Sequence, residues 1–169
     1  MELGTPPTLA YASLGRRLFA AAIDYFAVSF LASPFAAGAS QRFAEAVFEG
    51  KTPNGGDVAR LTVVTVLTMV VYFTAMHAWR GATFGKIAAR TTLLNDDGSP
   101  VTLAAAFVRG VALAAMFFVS SFALGLPLVL NELRPAWNRR RQTWVDSLAR
   151  TVVVRSDSVR RSPQGTAEP

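Results

Sequence analysis

Three long apolar segments alternate with polar segments along the chain. They cover residues 18–38, 61–79 and 110–130, and their only formally charged residue is Asp24 in the first. A helix that rises about 1.5 Å per residue needs about 20 residues to cross a hydrocarbon core of about 30 Å. None of the three shows the polar stripe expected of a helix in a soluble bundle. The pattern predicts an all-α integral membrane protein with three to four helical membrane segments.

The first apolar segment could also serve as a signal peptide, because Arg16 and Arg17 precede it. Asp24 lies in its middle. A charged residue at that depth costs about 2.5 to 3.5 kcal/mol on insertion scales, which a disposable targeting segment has no reason to bear. We therefore predict a retained first helix.

The third apolar segment contains a break. From Val101 to Leu130 there are only 30 residues, whereas two full crossings need about 40. The sequence Gly125-Leu126-Pro127 favours a bend, since proline removes a helix hydrogen bond and glycine relaxes the turn. We predict a broken or re-entrant hairpin here, with a single third crossing as the alternative.

The polar segments give the rest of the predicted organisation. Thr91–Leu94 and Thr151–Val154 are strand-like, and we expect the two to pair on the cytoplasmic face. No internal repeat is evident. Residues 41–60 are predicted to form the outside connection. The predicted parts are a cytoplasmic N-terminal segment (1–15), a membrane domain (16–155) and a disordered cytoplasmic tail (156–169).

Composition and charge placement support a multi-pass protein of the cell membrane. Hydrophobic residues make up 51% of the 169 residues and charged residues 17%, against about 25% charged in soluble domains. If both termini and the second connection are cytoplasmic, fourteen Lys and Arg residues lie inside and three outside. The net charge of +6 lies in loops rather than on a folded basic face, so we expect no nucleic-acid partner.

The sequence offers little for metal or cofactor chemistry. Cysteine is absent and His77 is the only histidine, so we predict no disulfide, metal or cofactor. His77 is expected in the interfacial aromatic belt beside Trp79. The segment Gly81–Lys86 lacks the spacing of a phosphate loop. We predict instead a turn that brings Lys86 and Arg90 to the headgroups, and a protein that is not an enzyme.

Two charged residues of the first helix are candidates for function. Arg17 and Asp24 lie seven residues apart, on one helix face and about 10 Å apart along it. Arg17 is expected to snorkel to the interface, and Asp24 to face a partner helix or a wet cavity. Thr65, Thr68 and Tyr72 place hydroxyls on one face of the second helix. Asp24 with these hydroxyls could hold a cation or proton, or could simply fix helix packing.

Several motifs in order resemble the bacterial RDD family, named for one arginine and two aspartates. They are Arg16-Arg17-Leu18-Phe19-Ala20-Ala21-Ala22-Ile23-Asp24, Gly81-x-Thr83-x-Gly85-Lys86, Asp97-Gly98, Arg109, and Gln142-Thr143-Trp144-Val145-Asp146 with Thr151–Val154. The resemblance implies that Arg17, Asp24 and Asp146 are the family residues, and that the chain transports a ligand. Members often have histidine where this chain has Val145, and a second glycine where it has Ala88-Ala89-Arg90.

We therefore expect transport of a small ion or solute with Asp24 as the membrane-embedded binding residue. Arg17 and Asp146 would set its electrostatics, and the supporting residues would be Thr65, Thr68, Tyr72, Lys86 and Arg109. The alternative is a non-transporting membrane scaffold or accessory subunit, in which Arg17, Asp24 and Asp146 form a structural charge network. An intramembrane aspartyl protease is disfavoured, because Asp146 lies in a hydrophilic stretch. Besides the lipid bilayer, the expected partner is a second copy or another membrane subunit, since three or four helices are few for a transport path.

Overall fold

Three helices within the structure are long and apolar enough to cross a membrane. The computed structural model describes residues 10–160, and these helices are α1 (Leu14–Phe48), α2 (Gly55–Arg80) and α4 (Leu103–Phe122). The predicted helical membrane fold is thereby confirmed. Most of the predicted N-terminal segment and the end of the predicted tail lie outside the described residues.

Helices α1 and α2 extend well beyond their apolar segments. The predicted outside connection from 41 to 60 shrinks to residues 49–54, because α1 continues for three further turns of mixed composition. Asn54 caps α2 by accepting a hydrogen bond from Gly56 N at 2.7 Å. At this end, Arg42 of α1 forms a 2.5 Å salt bridge with Asp57 of α2.

The third apolar segment bends where the sequence predicts. Helix α4 ends at Phe122, and Leu124 and Gly125 then adopt left-handed conformations with φ of 50° and 79°. Helix α5 (Leu126–Leu133) begins directly afterwards and packs back against α4. Ser120 Oγ accepts a hydrogen bond from Leu128 N at 3.1 Å and so closes the bend. A short 3₁₀ turn (Arg134–Ala136) follows.

A small sheet joins two distant parts of the chain at the other end of the bundle. Helix α3 (Phe84–Ala88) and strand β1 (Thr91–Asn95) follow α2, whereas helix α6 (Trp144–Leu148) and strand β2 (Thr151–Arg155) follow α5. The strands pair antiparallel, which confirms the predicted pairing. Ala12 N also donates to Val153 O at 3.0 Å, so the residues before α1 lie along β2. Where a disordered tail is predicted, helix α7 (Ser156–Arg160) comes directly after β2.

The sheet is built from two copies of one helix–strand unit, a repeat that the sequence analysis missed. The first unit is 83–95 and the second is 143–155. Each begins with a threonine N-cap, continues with a five-residue helix and turns into its strand through an arginine with φ of 54° or 51°. Threonine, alanine, arginine and threonine recur at positions 83, 89, 90, 91 and 143, 149, 150, 151.

Exchange of the two units preserves the pairing of the strands. Leu93 faces Val153 at the centre of the ladder. On one side Asp96 N donates to Arg150 O at 2.9 Å, and on the other Ser156 N donates to Arg90 O at 3.1 Å. The sheet therefore has an approximate two-fold arrangement within one chain.

Candidate functional site

A carboxylate and two arginines form a buried network at the sheet end of the bundle. Asp146 is fully buried, and its Oδ2 accepts a hydrogen bond from Arg17 Nη1 at 2.8 Å. Its Oδ1 accepts from Arg109 Nη1, and the backbone N–H of Thr143 donates to Oδ2 at 3.0 Å. One side chain thereby ties α1, α4 and α6 together.

Arg17 does not snorkel as predicted. It is only 5% exposed, and its Nη2 donates to Arg141 O at 2.7 Å and to Val153 O at 3.3 Å. The prediction was wrong because the sequence gave no sign that Asp146, 129 residues away, supplies a buried counter-charge.

The electrostatics of Asp146 are set by competing effects. Burial alone would raise the pKa of its carboxyl, but Arg109, Arg17 and the Thr143 N–H together hold that pKa well below its usual range. Asp146 is therefore an anion at neutral pH, as the two buried guanidinium groups require.

Asp24 belongs to a separate set of contacts with neutral donors. Its Oδ1 accepts from Tyr72 OH at 2.7 Å and from Gly85 N at 2.8 Å, and its Oδ2 accepts from Thr83 Oγ1 at 2.6 Å. The carboxylate thus holds the N-terminus of α3 against α1 and α2. A Cβ built on Gly85 would lie 2.0 Å from Ala20 O, so only glycine allows this approach.

The other predicted residues lie in different surroundings in the structure. Tyr72 contacts Asp24, and Thr65 lines a cavity described below. Thr68 makes no side-chain hydrogen bond within residues 10–160. His77 is only 1% exposed and stacks on Phe73 with 5.8 Å between ring centroids, so its predicted place in the aromatic belt was wrong.

Lys86 does not extend to the headgroups as predicted. It is half-buried and faces the same cavity as Asp24. Burial and the nearby Arg109 lower the pKa of its ammonium group, and Asp24 and Asp146 act in the opposite direction. The prediction failed because α3 turns back over the bundle instead of running along its surface.

Asn131 was missed by the sequence analysis. Its Oδ1 accepts from Trp144 N at 3.1 Å and from Val145 N at 3.3 Å, at the start of α6. Asn131 therefore accepts hydrogen bonds from backbone N–H groups at the start of α6, as Tyr72 and Asp24 do at the start of α3. The available signal was a neutral polar residue directly after the third apolar segment, and in the structure its side chain is fully buried.

A cavity of about 320 Å³ lies between α1, α2, α4 and α5. Its end near the sheet is lined by charged side chains: Arg17, Asp24, Lys86, Arg109 and Glu132. Most of its remaining wall is apolar, contributed by residues such as Met69, Phe73, Leu113 and Phe117. Within residues 10–160, no group of three or more histidine, aspartate or glutamate side chains could hold a metal ion. The arrangement suits a small molecule that meets charge at one end and hydrocarbon along the rest.

Comparison with known proteins gives one match. The model of the RDD family matches residues 11–150, a range that includes both sheet units up to the start of β2 and every charged residue that lines the cavity. No curated protein and no solved structure matches the chain.

Proposed function

The chain belongs to the RDD family of membrane proteins, and from that premise we propose that it moves a small charged solute across the bilayer, without acting as an enzyme. The cavity carries this proposal. Its volume of about 320 Å³ falls in the range of small-molecule sites, about 300 to 1,000 Å³. Charged side chains among membrane helices are costly and by default serve function, and five of them line one end of this cavity.

Asp24 and Lys86 would have different roles in this transport. The two oxygens of Asp24 already accept three hydrogen bonds, so most of its acceptor capacity is used within the fold. We therefore assign Asp24 as a positioning residue that holds the α3 wall of the cavity. Direct contact with the solute falls to Lys86 and Arg109, the two cationic residues of the lining that are on α3 and α4.

We propose that both termini and the sheet lie on the cytoplasmic side. Fourteen of seventeen Lys and Arg residues belong to that side in this orientation. The chain has no cysteine, so an impermeant maleimide can report single introduced cysteines at two exposed positions at opposite ends, Arg140 and Lys51. Cells should protect position 140 and expose position 51. The reverse pattern would overturn the orientation.

We also propose that the transporting unit contains more than one chain. Three spanning helices and a short return helix enclose the cavity incompletely, and closed symmetric oligomers are the common solution for such subunits. Cross-linking in native membranes, followed by the mass of the complex in nanodiscs, tests this. A monomer in both would contradict it.

The transport proposal is tested by charge displacement in proteoliposomes on a solid-supported membrane. Jumps of Na⁺, K⁺, inorganic phosphate and octanoate are applied to wild type, Lys86→Gln and the matched control Arg80→Gln. Arg80 is exposed at the end of α2 and lies outside the cavity lining. We expect a current for wild type and the control with at least one solute, and its loss in Lys86→Gln. No current with any solute would contradict transport.

One observation favours a second function, that of a membrane scaffold or accessory subunit. Asp24 and Asp146 each accept three hydrogen bonds from this chain alone, as expected if their work is structural. In that case no solute gives a current, and affinity purification from gently solubilised membranes should recover a stoichiometric partner that is lost when the cytoplasmic sheet surface is altered.

A further inference from the structure

At the charged end of the cavity, most of the polar side-chain atoms that lack a hydrogen-bond partner in the described residues are donors. Lys86 Nζ and Arg109 Nη2 have no hydrogen-bond or ion-pair partner within residues 10–160. The Nε atoms of Arg17 and Arg109 are buried and have no partner in this described part of the chain, and the two residues are only 5% and 4% exposed. Unpartnered buried donors of this kind need an acceptor.

The acceptors at the same end are nearly all occupied. Asp24 and Asp146 each accept three hydrogen bonds. Glu132 is the exception, because its Oε1 accepts from Asn131 Nδ2 at 3.1 Å whereas its Oε2 has no partner in the described part of the chain. The donors at this end therefore favour an anionic head group over a neutral or cationic one.

Away from this end the cavity is apolar and elongated. On α4 it extends from Arg109 to Phe117, which is about 12 Å at the helical rise of about 1.5 Å per residue. Met69 and Phe73 of α2 form the facing wall. A hydrophilic anion would gain nothing from this length, whereas an aliphatic chain would bury apolar surface along all of it.

The mouth of the cavity lies among exposed apolar side chains. Leu18 and Tyr25 on α1 and Val129 on α5 line the cavity, yet they are 41%, 63% and 52% exposed. All three are therefore on the outer surface of the bundle, at the gap between α1 and α5. An occupant can enter sideways from the lipid through this gap.

We infer that the cavity binds a single-chain anionic amphiphile drawn from the bilayer. Its head accepts hydrogen bonds from Lys86 and Arg109, and its chain lies between α2 and α4 and leaves through the gap beside Val129. This inference rests on the proposed function, since it names the class of solute that the same cavity takes.

The experiment uses the whole protein in phosphatidylcholine vesicles with a chain-spin-labelled alkyl phosphate and the alcohol of the same chain length. The motionally restricted fraction of each probe gives its affinity. Wild type should retain the phosphate at least about ten-fold better than the alcohol, since a charge-assisted hydrogen bond contributes that much. Lys86→Gln should remove most of this preference and Arg80→Gln should not.

A second pair of variants tests the route of the chain and does not depend on Lys86. Val129→Trp fills the mouth and should lower the retention of both probes. Val71→Trp is the matched control, because Val71 is 67% exposed on α2 and lies outside the cavity lining. Equal retention of phosphate and alcohol in wild type, or equal effects of the two tryptophans, would overturn the inference.

The outcomes separate this inference from the proposed function. If inorganic phosphate displaces the probe completely at comparable concentration, or if a solute current persists while the alkyl phosphate is not retained, the cavity binds a tailless solute and only the inference falls. If neither retention nor current is found, both fall together.

Discussion

The two helix–strand units share a backbone and carry opposite charges at the third residue of their helices. In the second unit the third helical residue is Asp146, which closes a capping box with Thr143 and also binds two arginines. In the first unit the same position holds Lys86, and the helix start is instead satisfied by Asp24 from α1. Both helix starts also receive an acceptor from another helix, Asp24 of α1 in the first unit and Asn131 of α5 in the second. The units therefore differ in the charge at the third helical position.

Because of this difference, the second unit contributes mainly to stability and the first to the binding cavity. The carboxylate of the second unit is entirely used to hold α1 and α4. In the first unit Asp24 supplies the carboxylate that holds α3 in place. Lys86 Nζ therefore has no partner within residues 10–160, and Lys86 lines the cavity. The same backbone therefore joins helices in the second unit, whereas in the first it forms a cavity wall that carries Lys86.

The largest effect is expected for Asp146→Asn. The substitution leaves Arg17 and Arg109 buried without a counter-charge, which costs about 3 to 5 kcal/mol. Thermal unfolding in detergent, followed by size-exclusion chromatography, should show aggregation or a strongly lowered Tm. Asp157→Asn is the control, since its ion pair with Arg155 is exposed. A Tm equal to that of wild type would contradict the network.

Asp24→Asn should destabilise the first unit less, by about 1.5 to 3 kcal/mol, because hydrogen bonds to a charged acceptor are lost. Tyr72→Phe removes only one of its three donors and should cost less than Asp24→Asn. Chemical denaturation of both variants measures this order. If Asp24→Asn keeps full stability and abolishes a proton or cation flux, Asp24 is a binding residue and not a positioning one.

Gly85→Ala tests the close approach of α3 to α1 in the first unit. The added Cβ would lie 2.0 Å from Ala20 O, so α3 must move away from α1 at a cost of about 1 to 3 kcal/mol. Val145 occupies the equivalent position in the second unit without difficulty. Gly15→Ala has open space around its Cβ and should not lower Tm. Equal Tm values for the two alanine variants would contradict the close approach.

Acid should weaken the second unit within a defined pH window. The pKa of Asp146 is depressed in the folded protein, so its contribution is complete above the unfolded value of about 3.9 and declines as the pH falls below it. The expected slope for this one group is up to about 1.4 kcal/mol per pH unit. Tm measured from pH 6 to pH 3 should fall mainly below pH 4, in wild type and in Asp157→Asn alike. A constant Tm would contradict this.

Lys86→Gln should have the smallest effect on stability, within about 0.5 kcal/mol, because the ammonium group has no partner to lose in the described part of the chain. Its Tm should match that of Arg80→Gln, even though the two variants differ in binding. A loss as large as that of Asp24→Asn would mean that Lys86 is part of the structural network, and the contrast between the two units would disappear.

Much of the fold could be predicted because it follows from local patterns. Apolar length indicated the three spanning helices, Gly125 and Pro127 indicated the bend, and β-branched runs indicated both strands. The helix ends were missed because apolar length marks only contact with hydrocarbon, and α1 continues beyond it. The repeated unit escaped notice because its copies share few residues and carry opposite charges at Lys86 and Asp146.

The site was only partly predictable, because its contacts join residues far apart in sequence. Arg17, Asp24 and Asp146 were named through the family resemblance, yet nothing local indicates that Asp146 pairs with Arg109 and Arg17 while Asp24 does not. A hydrophilic stretch around Asp146 suggested exposure. Asp146 is buried nevertheless, because Arg17 of α1 and Arg109 of α4 pair with it.

The pairing of Arg17 with Asp146 also dictates an order of assembly during synthesis. Arg17 leaves the ribosome 129 residues before its counter-ion, and Arg109 leaves 37 residues before it. All three long helices are therefore made before Asp146, the counter-ion of Arg17 and Arg109, is available. Strand β2 is made later still, so the sheet forms last. A chain cut short before Asp146 retains all three of its long helices and lacks the carboxylate that joins the first of them to the third.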